Sequence, residues 1–317
     1  MTSTGETTWT DLNGVPPELL ALASRCFAAD GGMPLATDPG FLGRRWAGAG
    51  VTAFGLRGPD GGLLAAGAVR GGPTFIGLVD PAARGRGLGG ALLDRGLDLA
   101  RSEFVLADSG NSEGERSEVV LDGSGDGGGE RFEVTVESET LTAEAVELFE
   151  SRGLRQVFAE DVMRADLVGA ELPAVTWPDG ATVSTWTEPV ARRFHTTYYA
   201  SFRDRPGFPG DPADEWIAEN EDDEDFLPDC SLLLTLPDLG DAGFVTAARG
   251  WIVQAGVVPV VRRRGLAGAL ITESLTRMRA AGETHAWLTV NVNNPGAAAL
   301  YRRLGFLDHG CRARFRG

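Results

Sequence analysis

The clearest pattern of hydrophobic and polar positions lies near the end of the 317-residue chain. The run WIVQAGVV at 251–258 is rich in Val and Ile and predicts a buried strand, which Pro259 ends because proline cannot donate to a sheet ladder. Apolar residues then recur at helical spacing as far as Met278 and predict an amphipathic helix that ends at Gly282. The Arg/Gly cluster at 262–268 is therefore predicted to be a strand-to-helix turn.

A second strand and a short helix follow this unit. AWLTVNVN at 286–293 predicts a strand, and Asn294 and Pro295 suit the N-cap and the first position of a helix. The small and apolar run at 297–301 continues that helix, and the Leu-Gly-Phe sequence at 304–306 predicts the turn that closes it.

The strand, turn and helix pattern occurs twice. Residues 73–100 repeat the order found at 251–281: an apolar run, a Val-x-Pro turn, an Arg/Gly cluster and a helical pattern. Arg84 matches Arg262, which lies 178 positions later. The chain is therefore predicted to contain an internal duplication.

The second strand-helix pattern recurs with a different spacing. Residues 134–154 resemble 288–306 at an offset of 152, so the first copy carries 26 extra residues between its two motifs. They coincide with the polar, Gly-rich run at 109–130, whose composition predicts a flexible, solvated excursion.

The junction between the copies is predicted from turn residues. The stretch 168–180 contains two prolines and an Asp-Gly pair, which favour a linker. The chain is thus predicted to form two α/β domains, at 1–167 and 181–317.

The Arg/Gly turn has a physical use. The first turn of a helix presents unpaired N–H groups and the positive end of the helix dipole, so it suits a pyrophosphate. Small residues at 265, 267 and 268 let a ligand approach the backbone, and the arginines add charge. One such turn is weak evidence, because a tight turn with surface arginines looks the same. Two copies in the same context favour the anion site.

Two common nucleotide motifs do not fit. The glycines at 85, 87 and 89 lack the Rossmann spacing, and the chain has no Lys for a Walker P-loop.

The segment at 294–306 indicates which kind of anion site this is. The pattern N-x-x-A-x-x-x-Y-x-x-L-G-F at 294–306, placed behind an R-x-x-G-x-A turn, resembles the GNAT acetyltransferase superfamily. The resemblance is strong over about the last 70 residues and weaker over 60–165. It implies that each domain is a mixed, mostly antiparallel twisted sheet flanked by helices, with two strands splayed apart to hold acetyl-CoA.

The resemblance also assigns cofactor contacts. The strand end would pair with the pantetheine arm, the turn would hold the pyrophosphate, and Asn294 would bond the arm. The implied residues are Gly256, Val257, Val258, Arg263, Arg264, Gly265, Leu266, Ala267, Gly268, Asn294 and Ala297 in the second half, and Leu78, Val79, Arg84, Gly85, Arg86, Gly87, Leu88 and Gly89 in the first.

The resemblance places Tyr301 near the thioester sulfur. A departing thiolate, with a pKa of about 8.5, must gain a proton, and a tyrosine hydroxyl with a pKa of about 10 is a suitable donor at neutral pH. In the first half Asn294 becomes Thr142 and Tyr301 becomes Phe149, which has no proton to give. We therefore expect one catalytic domain and one degenerate copy, which either still binds an acyl-CoA or serves only as a scaffold.

The acceptor pocket is predicted at 201–226, where the resemblance places it. Phe208, Trp216 and Glu215 are its candidate substrate contacts, because aromatic and acidic side chains suit a cationic amine. An ordinary loop and helix with exposed acids explains the same residues equally well. The general base stays open among His195, Glu188, Glu215 and a water held by backbone carbonyls.

Composition limits the partners. The net charge of −16 repels phosphate backbones and excludes nucleic acid as a target. The three cysteines, Cys26, Cys230 and Cys311, have no metal-site spacing, so no metal is expected. No signal peptide or membrane span is evident, which predicts a soluble, cytoplasmic protein. We expect a monomer, with the two domains as an internal pseudo-dimer, or a weak homodimer.

Three functions are compatible with the sequence. The first is transfer of an acetyl group from acetyl-CoA to a primary amine of a small molecule or peptide. The second is the activity of a mycothiol-type synthase on an aminosugar-linked thiol. Mycothiol synthases are tandem chains of about this length, but the carboxylate expected before the turn is missing from ARGW at 248–251. The third is a non-catalytic acyl-CoA sensor or interaction protein.

Overall fold

The chain forms two compact units. The computed structural model describes residues 8–71, 73–110, 133–205, 208 and 210–317. Unit 1 comprises residues 1–161 together with 309–317, and unit 2 comprises 162–308. The units therefore divide ahead of the predicted linker at 168–180, and the last nine residues return to unit 1.

Unit 1 is built on an antiparallel sheet with one parallel pair. Its strands run in the order β1-β2-β3-β4-β5-β12, and only β4 and β5 are parallel to each other. Its elements are β1 (Thr10–Asp11), α1 (Pro17–Asp30), α2 (Pro39–Trp46), β2 (Val51–Arg57), β3 (Leu63–Arg70), β4 (Thr74–Val79), α3 (Leu88–Gly110), β5 (Thr135–Ser138), α4 (Ala143–Glu150), the start of β6 (Arg155–Asp166) and β12 (Leu307–Arg316).

Unit 2 repeats this plan. Its strands run in the order β11-β10-β9-β8-β7, with β10 and β11 parallel and the other pairs antiparallel. The last residues of β6 lie on the outer side of β11. Its further elements are β7 (Thr182–Thr185), α5 (Glu188–Phe202), α6 (Ala213–Glu221), β8 (Leu232–Leu236), β9 (Gly240–Ala248), β10 (Trp251–Val257), α7 (Leu266–Ala280), β11 (His285–Asn291) and α8 (Pro295–Arg303).

Each sheet is covered on both faces. In unit 2, α7 buries Leu270 and Leu275 in one core, while α5 and α6 bury Phe194 and Trp216 in another. Unit 1 has the same two layers, one core under α3 and one under α1 and α2. The predicted fold class, a mixed sheet flanked by helices in each of two domains, is confirmed.

The helices of the two copies begin at the offsets that the sequence predicts. Helices α3 and α7 begin at residues 178 positions apart, and α4 and α8 at residues 152 positions apart, as the two offsets require. The turn that closes each short helix also repeats: Phe306 N–H donates to Tyr301 O at 3.0 Å, and Leu154 N–H donates to Phe149 O at 3.2 Å.

Two further predictions concern the insertion at 109–130 and membrane-spanning helices. The insertion at 109–130 lies outside the described residues, except for its first two positions, which complete α3. Within the described ranges no helix is both long and apolar enough to cross a membrane.

Candidate active site

The turn in unit 2 leaves backbone donors open. Gly265 is the N-cap of α7, with φ at 82°, a value that favours glycine. The helix has no side-chain cap, and its first hydrogen bond runs from Ala269 N–H to Gly265 O at 3.0 Å. The N–H groups of Leu266, Ala267 and Gly268 come before this bond, so they have no partner within the helix and point out from its N-terminal end. The predicted strand-to-helix turn therefore has the donors that an anionic ligand requires.

The arginines of this turn have different tasks. The guanidinium of Arg262 is bound to the carboxylate of Asp204, and its Nε donates to Val257 O at 3.2 Å. Arg263 and Arg264 are exposed, and neither pairs with an acid among the described residues. Arg263 has φ at 63°, where unit 1 has Gly85. The charge available to a ligand thus comes from the second and third arginines.

Strands β10 and β11 separate beside this turn. Their register holds one parallel pair, Trp251 with Trp287, although β10 continues to Val257. A shift in the register with β9 between Ile252 and Gln254 forms a β-bulge at Val253. The predicted splayed pair is present, and its open edge includes the strand end that was assigned to the pantetheine arm.

Gly256 lies on this strand for a packing reason. A Cβ atom there would be 2.8 Å from both the Cε1 atom of Phe244 and the Cβ atom of Ser201. Helix α5 therefore approaches the strand closely because Gly256 has no side chain.

Asn294 has the predicted position at the start of α8. Its side-chain oxygen accepts a hydrogen bond from Ala297 N–H at 3.2 Å, which caps the helix. The side chain is exposed, so its NH₂ group faces outward as a donor. Helix α8 in turn lies against the first turn of α7, because a Cβ on Gly268 would be 3.3 Å from Leu300 Cδ1. The two predicted cofactor elements are therefore adjacent.

Tyr301 lies on the inner side of the same helix. Its ring packs on the core of unit 2, with its centroid 6.0 Å from that of Phe306. Burial raises the pKa of Tyr301, and the positive charge of Arg205 opposes the rise without cancelling it. The phenol therefore keeps its proton at neutral pH, as a general acid must. The influence of Arg205, three residues beyond α5, places Tyr301 within electrostatic range of that end of the helix.

The predicted acceptor residues have mixed positions. Trp216 is only 1% exposed and lies in the core under α5 and α6, so it is a structural residue and not a pocket surface. Its indole N–H donates to Gln254 Oε1 at 3.1 Å. Phe208 is half-buried against Tyr198 and Tyr199, and Glu215 is exposed on α6.

None of the candidate bases contacts Tyr301 in the described part of the chain. His195 Nε2 lies 2.9 Å from Asp211 O, and its ring is 5.8 Å from that of Trp216. Glu188 is exposed at the first position of α5, and Glu215 is equally open to solvent. The described contacts therefore do not single out one of these residues as the base.

A large cavity lies in unit 1, where the sequence predicts a degenerate site. It has a volume of about 490 Å³ and extends from the Gly-rich turn, along the end of β4, to Phe149 on α4. Leu78, Val79, Gly85, Gly87 and Gly89, which the resemblance assigns to the cofactor, line this cavity. The described residues thus include a cavity on the scale of a small-molecule ligand in this half.

Other residues of this cavity are bound within the protein. Arg84 lines it, but its guanidinium makes two hydrogen bonds to Asp30, at 2.7 and 2.6 Å. Cys26, which the sequence did not single out for this site, also lines the cavity and donates to Val79 O at 3.4 Å. Burial raises the pKa of the Cys26 thiol to about 11, so it is a neutral apolar wall.

The structure reveals a further difference between the copies. Gln254 occupies the position of Ile76, and the bulged strand β10 corresponds to β4, which pairs with β3 in unbroken register. Gln254 was not predicted to be a site residue, although it is the one polar residue in the run WIVQAGVV.

The fold and the position of the turn can be compared with those of known proteins. The sequence model of the Acetyltransferase (GNAT) family matches residues 189–306. This segment includes the turn, Asn294 and Tyr301, so most of unit 2 is similar to the acetyltransferases of that family.

Known proteins agree with this assignment. N-alpha-acetyltransferase MAK3 of Arabidopsis thaliana is 41% identical over 59 residues, which are 19% of this chain and 31% of the length of that relative. A GCN5-related N-acetyltransferase from Sphaerobacter thermophilus has 25% identity and a TM-score of 0.70 over 98% of this chain and 95% of its own. A tandem GNAT protein from the clavulanic acid biosynthesis pathway shares the fold over 98% of both chains, with 17% identity and a TM-score of 0.57.

No group of acidic, histidine or cysteine side chains in the described residues could hold a metal ion.

Proposed function

We propose that unit 2 transfers an acetyl group from acetyl-CoA to a primary amine of a small molecule or peptide. The observation that carries this proposal is the joint position of Tyr301 and the open turn. A phenol kept neutral by burial lies on the helix that packs against the donor-rich first turn of α7.

The residues present fit acetyl-CoA. The free N–H groups of Leu266, Ala267 and Gly268 suit its pyrophosphate, with Arg263 and Arg264 as mobile charges beside it. The outward NH₂ group of Asn294 would donate to a carbonyl of the arm. Acetyl-CoA supplies the acetyl group as an activated thioester.

The chain itself controls one proton. In the transfer, the amine nitrogen forms the new bond to the acetyl carbon, the carbon–sulfur bond breaks, and the sulfur must gain a proton. Tyr301 Oη holds that proton and releases it at the position of the departing sulfur. The amine loses a proton to water, either directly or through one of the candidate bases His195, Glu188 and Glu215. Tyr301 regains its proton from solvent.

The test is acetyl transfer to a panel of primary amines, including peptides, amino sugars and polyamines. We expect amine-dependent release of the CoA thiol, with the acetylated product seen by mass spectrometry and a large loss in Tyr301→Phe. An aminosugar-linked thiol in the panel examines the mycothiol-type alternative. Tight acetyl-CoA binding without transfer to any amine would instead support the sensor.

We also propose that unit 1 binds an acyl-CoA without reacting. The cavity of about 490 Å³ beside its Gly-rich turn supports this binding. Phe149 has no proton to donate, and the strand lacks the bulge found in unit 2. Equilibrium binding should therefore find two acetyl-CoA equivalents per chain, whereas a single equivalent would assign unit 1 a structural role.

A further inference from the structure

The hydrogen bond between Trp216 and Gln254 fixes the direction of an amide. An indole N–H can only donate, so the atom of Gln254 that lies 3.1 Å from it must be Oε1. The Nε2 group therefore points away from the buried indole. It has two N–H donors and no acceptor among the described residues.

This amide lies on the α5–α6 side of the sheet. Gln254 directly follows the bulge in β10, and its partner Trp216 belongs to the core under α5 and α6. The proposed cofactor contacts lie on α7 and α8, whose apolar residues form the other core. An acceptor that approaches the thioester from the α5–α6 side, opposite these contacts, would pass close to Gln254.

Unit 1 shows that the fold does not require an amide here. Its matching residue, Ile76, is buried and apolar. The side chain of Gln254 is only half-buried, and its Nε2 atom is not among the buried polar atoms that lack a partner. Its two outward donors are therefore open to a ligand that offers an oxygen acceptor.

The surrounding charge limits that ligand. Tyr198 stacks on Trp216 and donates a hydrogen bond to the carboxylate of Asp211 at 2.6 Å. Burial, Asp211 and Glu219 raise the pKa of Tyr198, and only the positive charge of Arg205 opposes them. A carboxylate on the acceptor would be repelled by these acids, whereas a neutral carbonyl or hydroxyl oxygen would not.

We propose that Gln254 is a positioning residue for the acceptor of unit 2. The acceptor carries a neutral oxygen on the carbon next to its amine-bearing carbon, as an α-amino amide or an amino alcohol does. Gln254 Nε2 donates to that oxygen and holds the amine in line with the thioester, while Trp216 holds the amide. This inference rests on the proposed acetyl transfer by unit 2.

The variants separate positioning from folding. Gln254→Met keeps the volume and removes the donors, but it leaves the indole N–H of Trp216 unpaired. The double variant Gln254→Met with Trp216→Phe removes both polar partners, which is the change least harmful to the fold. Thermal unfolding of each variant establishes that it is folded before its kinetics are compared.

The experiment compares glycinamide and ethanolamine with n-propylamine, which lacks the oxygen. For the two oxygen-bearing amines, Gln254→Met and the double variant should lower kcat/KM about tenfold, the effect of one lost hydrogen bond, mostly through KM. For n-propylamine the change should stay below about twofold. Comparing each amine across the variants cancels the intrinsic reactivity of the amines.

A binding measurement tests the proposal even where turnover is too slow for the kinetic comparison. The ¹H–¹⁵N signals of the Gln254 amide, assigned by their loss in Gln254→Met, should shift when glycinamide is added to the CoA-bound protein and stay in place with n-propylamine. Equal kinetic effects on all three amines, or no shift with saturating glycinamide, would overturn the proposal. Failure of acetyl-CoA to bind unit 2 would be seen first, by calorimetry on a chain whose unit 1 cavity is blocked by Ala145→Trp, and would instead remove the proposed function.

Discussion

The guanidinium of Arg262 forms two hydrogen bonds with the carboxylate of Asp204, at 2.6 and 2.8 Å. A further hydrogen bond joins it to Ser201 O at 2.7 Å. The start of the Arg/Gly turn at 262–268 is thereby attached to the end of α5. Because Arg84 and Asp30 repeat the pair in unit 1, the first arginine of each cluster has a structural task.

Two neighbouring arginines should therefore give opposite results. Arg262→Ala should lower the free energy of unfolding by about 1 kcal/mol, a modest amount because the ion pair is partly exposed. Arg264→Ala should leave stability unchanged and weaken acetyl-CoA binding about fivefold to tenfold, through loss of a charge beside the pyrophosphate. Urea unfolding and calorimetric titration measure the two effects. A variant Arg262→Ala that binds poorly but unfolds normally would contradict this division.

The pKa of Tyr301 predicts the alkaline limit of activity. Since burial raises this pKa, the protonated form persists beyond pH about 10, the ordinary value for tyrosine. With a saturating amine, kcat should stay level to that pH and fall only above it. Tyr301→Phe should lower kcat by about 10²–10⁴-fold, leave acetyl-CoA affinity nearly intact and lose the alkaline limb. Unchanged turnover in this variant would remove Tyr301 from the mechanism.

Matched substitutions can block the two proposed binding sites separately. Ala145 lines the cavity of unit 1, and Ala297 has the same position on α8. Ala297→Trp should abolish transfer and leave one acetyl-CoA equivalent bound per chain. Ala145→Trp should also leave one equivalent but should preserve transfer, because the proton donor is in unit 2. Calorimetry and thiol release together distinguish the outcomes, and loss of transfer in both variants would count against a single active site.

Gly256 should not tolerate even a methyl group. In Gly256→Ala the new Cβ would meet Phe244 and Ser201 at 2.8 Å, so α5 must move away from β10. We expect a loss of about 1–3 kcal/mol in stability, typical of overpacking. Gly296→Ala is the control, because its nearest neighbour would be 3.9 Å away. The midpoint of thermal unfolding should drop for Gly256→Ala and stay unchanged for Gly296→Ala.

Glu137 in unit 1 predicts a pH-dependent contribution to stability. Burial would raise the pKa of this carboxyl, but the charges of Arg70, Arg45 and Arg314 outweigh it and lower the pKa. A lowered folded pKa stabilises the protein above the unfolded value of about 4.3, and this contribution is lost as the pH falls through the folded pKa.

Removal of this charge should therefore matter most at neutral pH. Glu137→Gln should cost about 2 kcal/mol at pH 7, because it leaves arginines without their acid, and the difference from wild type should narrow below pH about 4. Exposed Glu150→Gln should change stability by less than about 0.5 kcal/mol at each pH. Urea unfolding at several pH values checks this, and a difference that does not depend on pH would contradict it.

Local rules predicted much of the framework. The proline after β10, the asparagine cap of α8 and the glycine beyond α7 each mark an element end that the structure confirms. These signals depend on neighbouring residues, so they can be read from one sequence. The duplication added long-range information, because each offset predicted a corresponding helix start.

Contacts between residues that are distant in sequence could not be predicted from such local rules. Trp216 was predicted to face a substrate, but its burial depends on α5 and β9, which are distant in sequence. The tasks of the arginines likewise depend on Asp30 and Asp204, more than 50 residues away. The bulge at Val253 needs the register with β9, which no pattern within β10 reveals. The roles assigned to Asn294 and Tyr301 stay predictions.

The membership of residues 309–317 in unit 1 has a consequence for biosynthesis. Strand β12 pairs with β5 through Ala313–Arg316, so β5 lacks this neighbour until residues 313–316 have left the ribosome. The half that is translated first is thus completed last. A nascent or truncated chain of residues 1–161 would expose an unpaired strand edge, a known template for aggregation. The N-terminal half therefore lacks its last strand for the whole time that unit 2 is being synthesised.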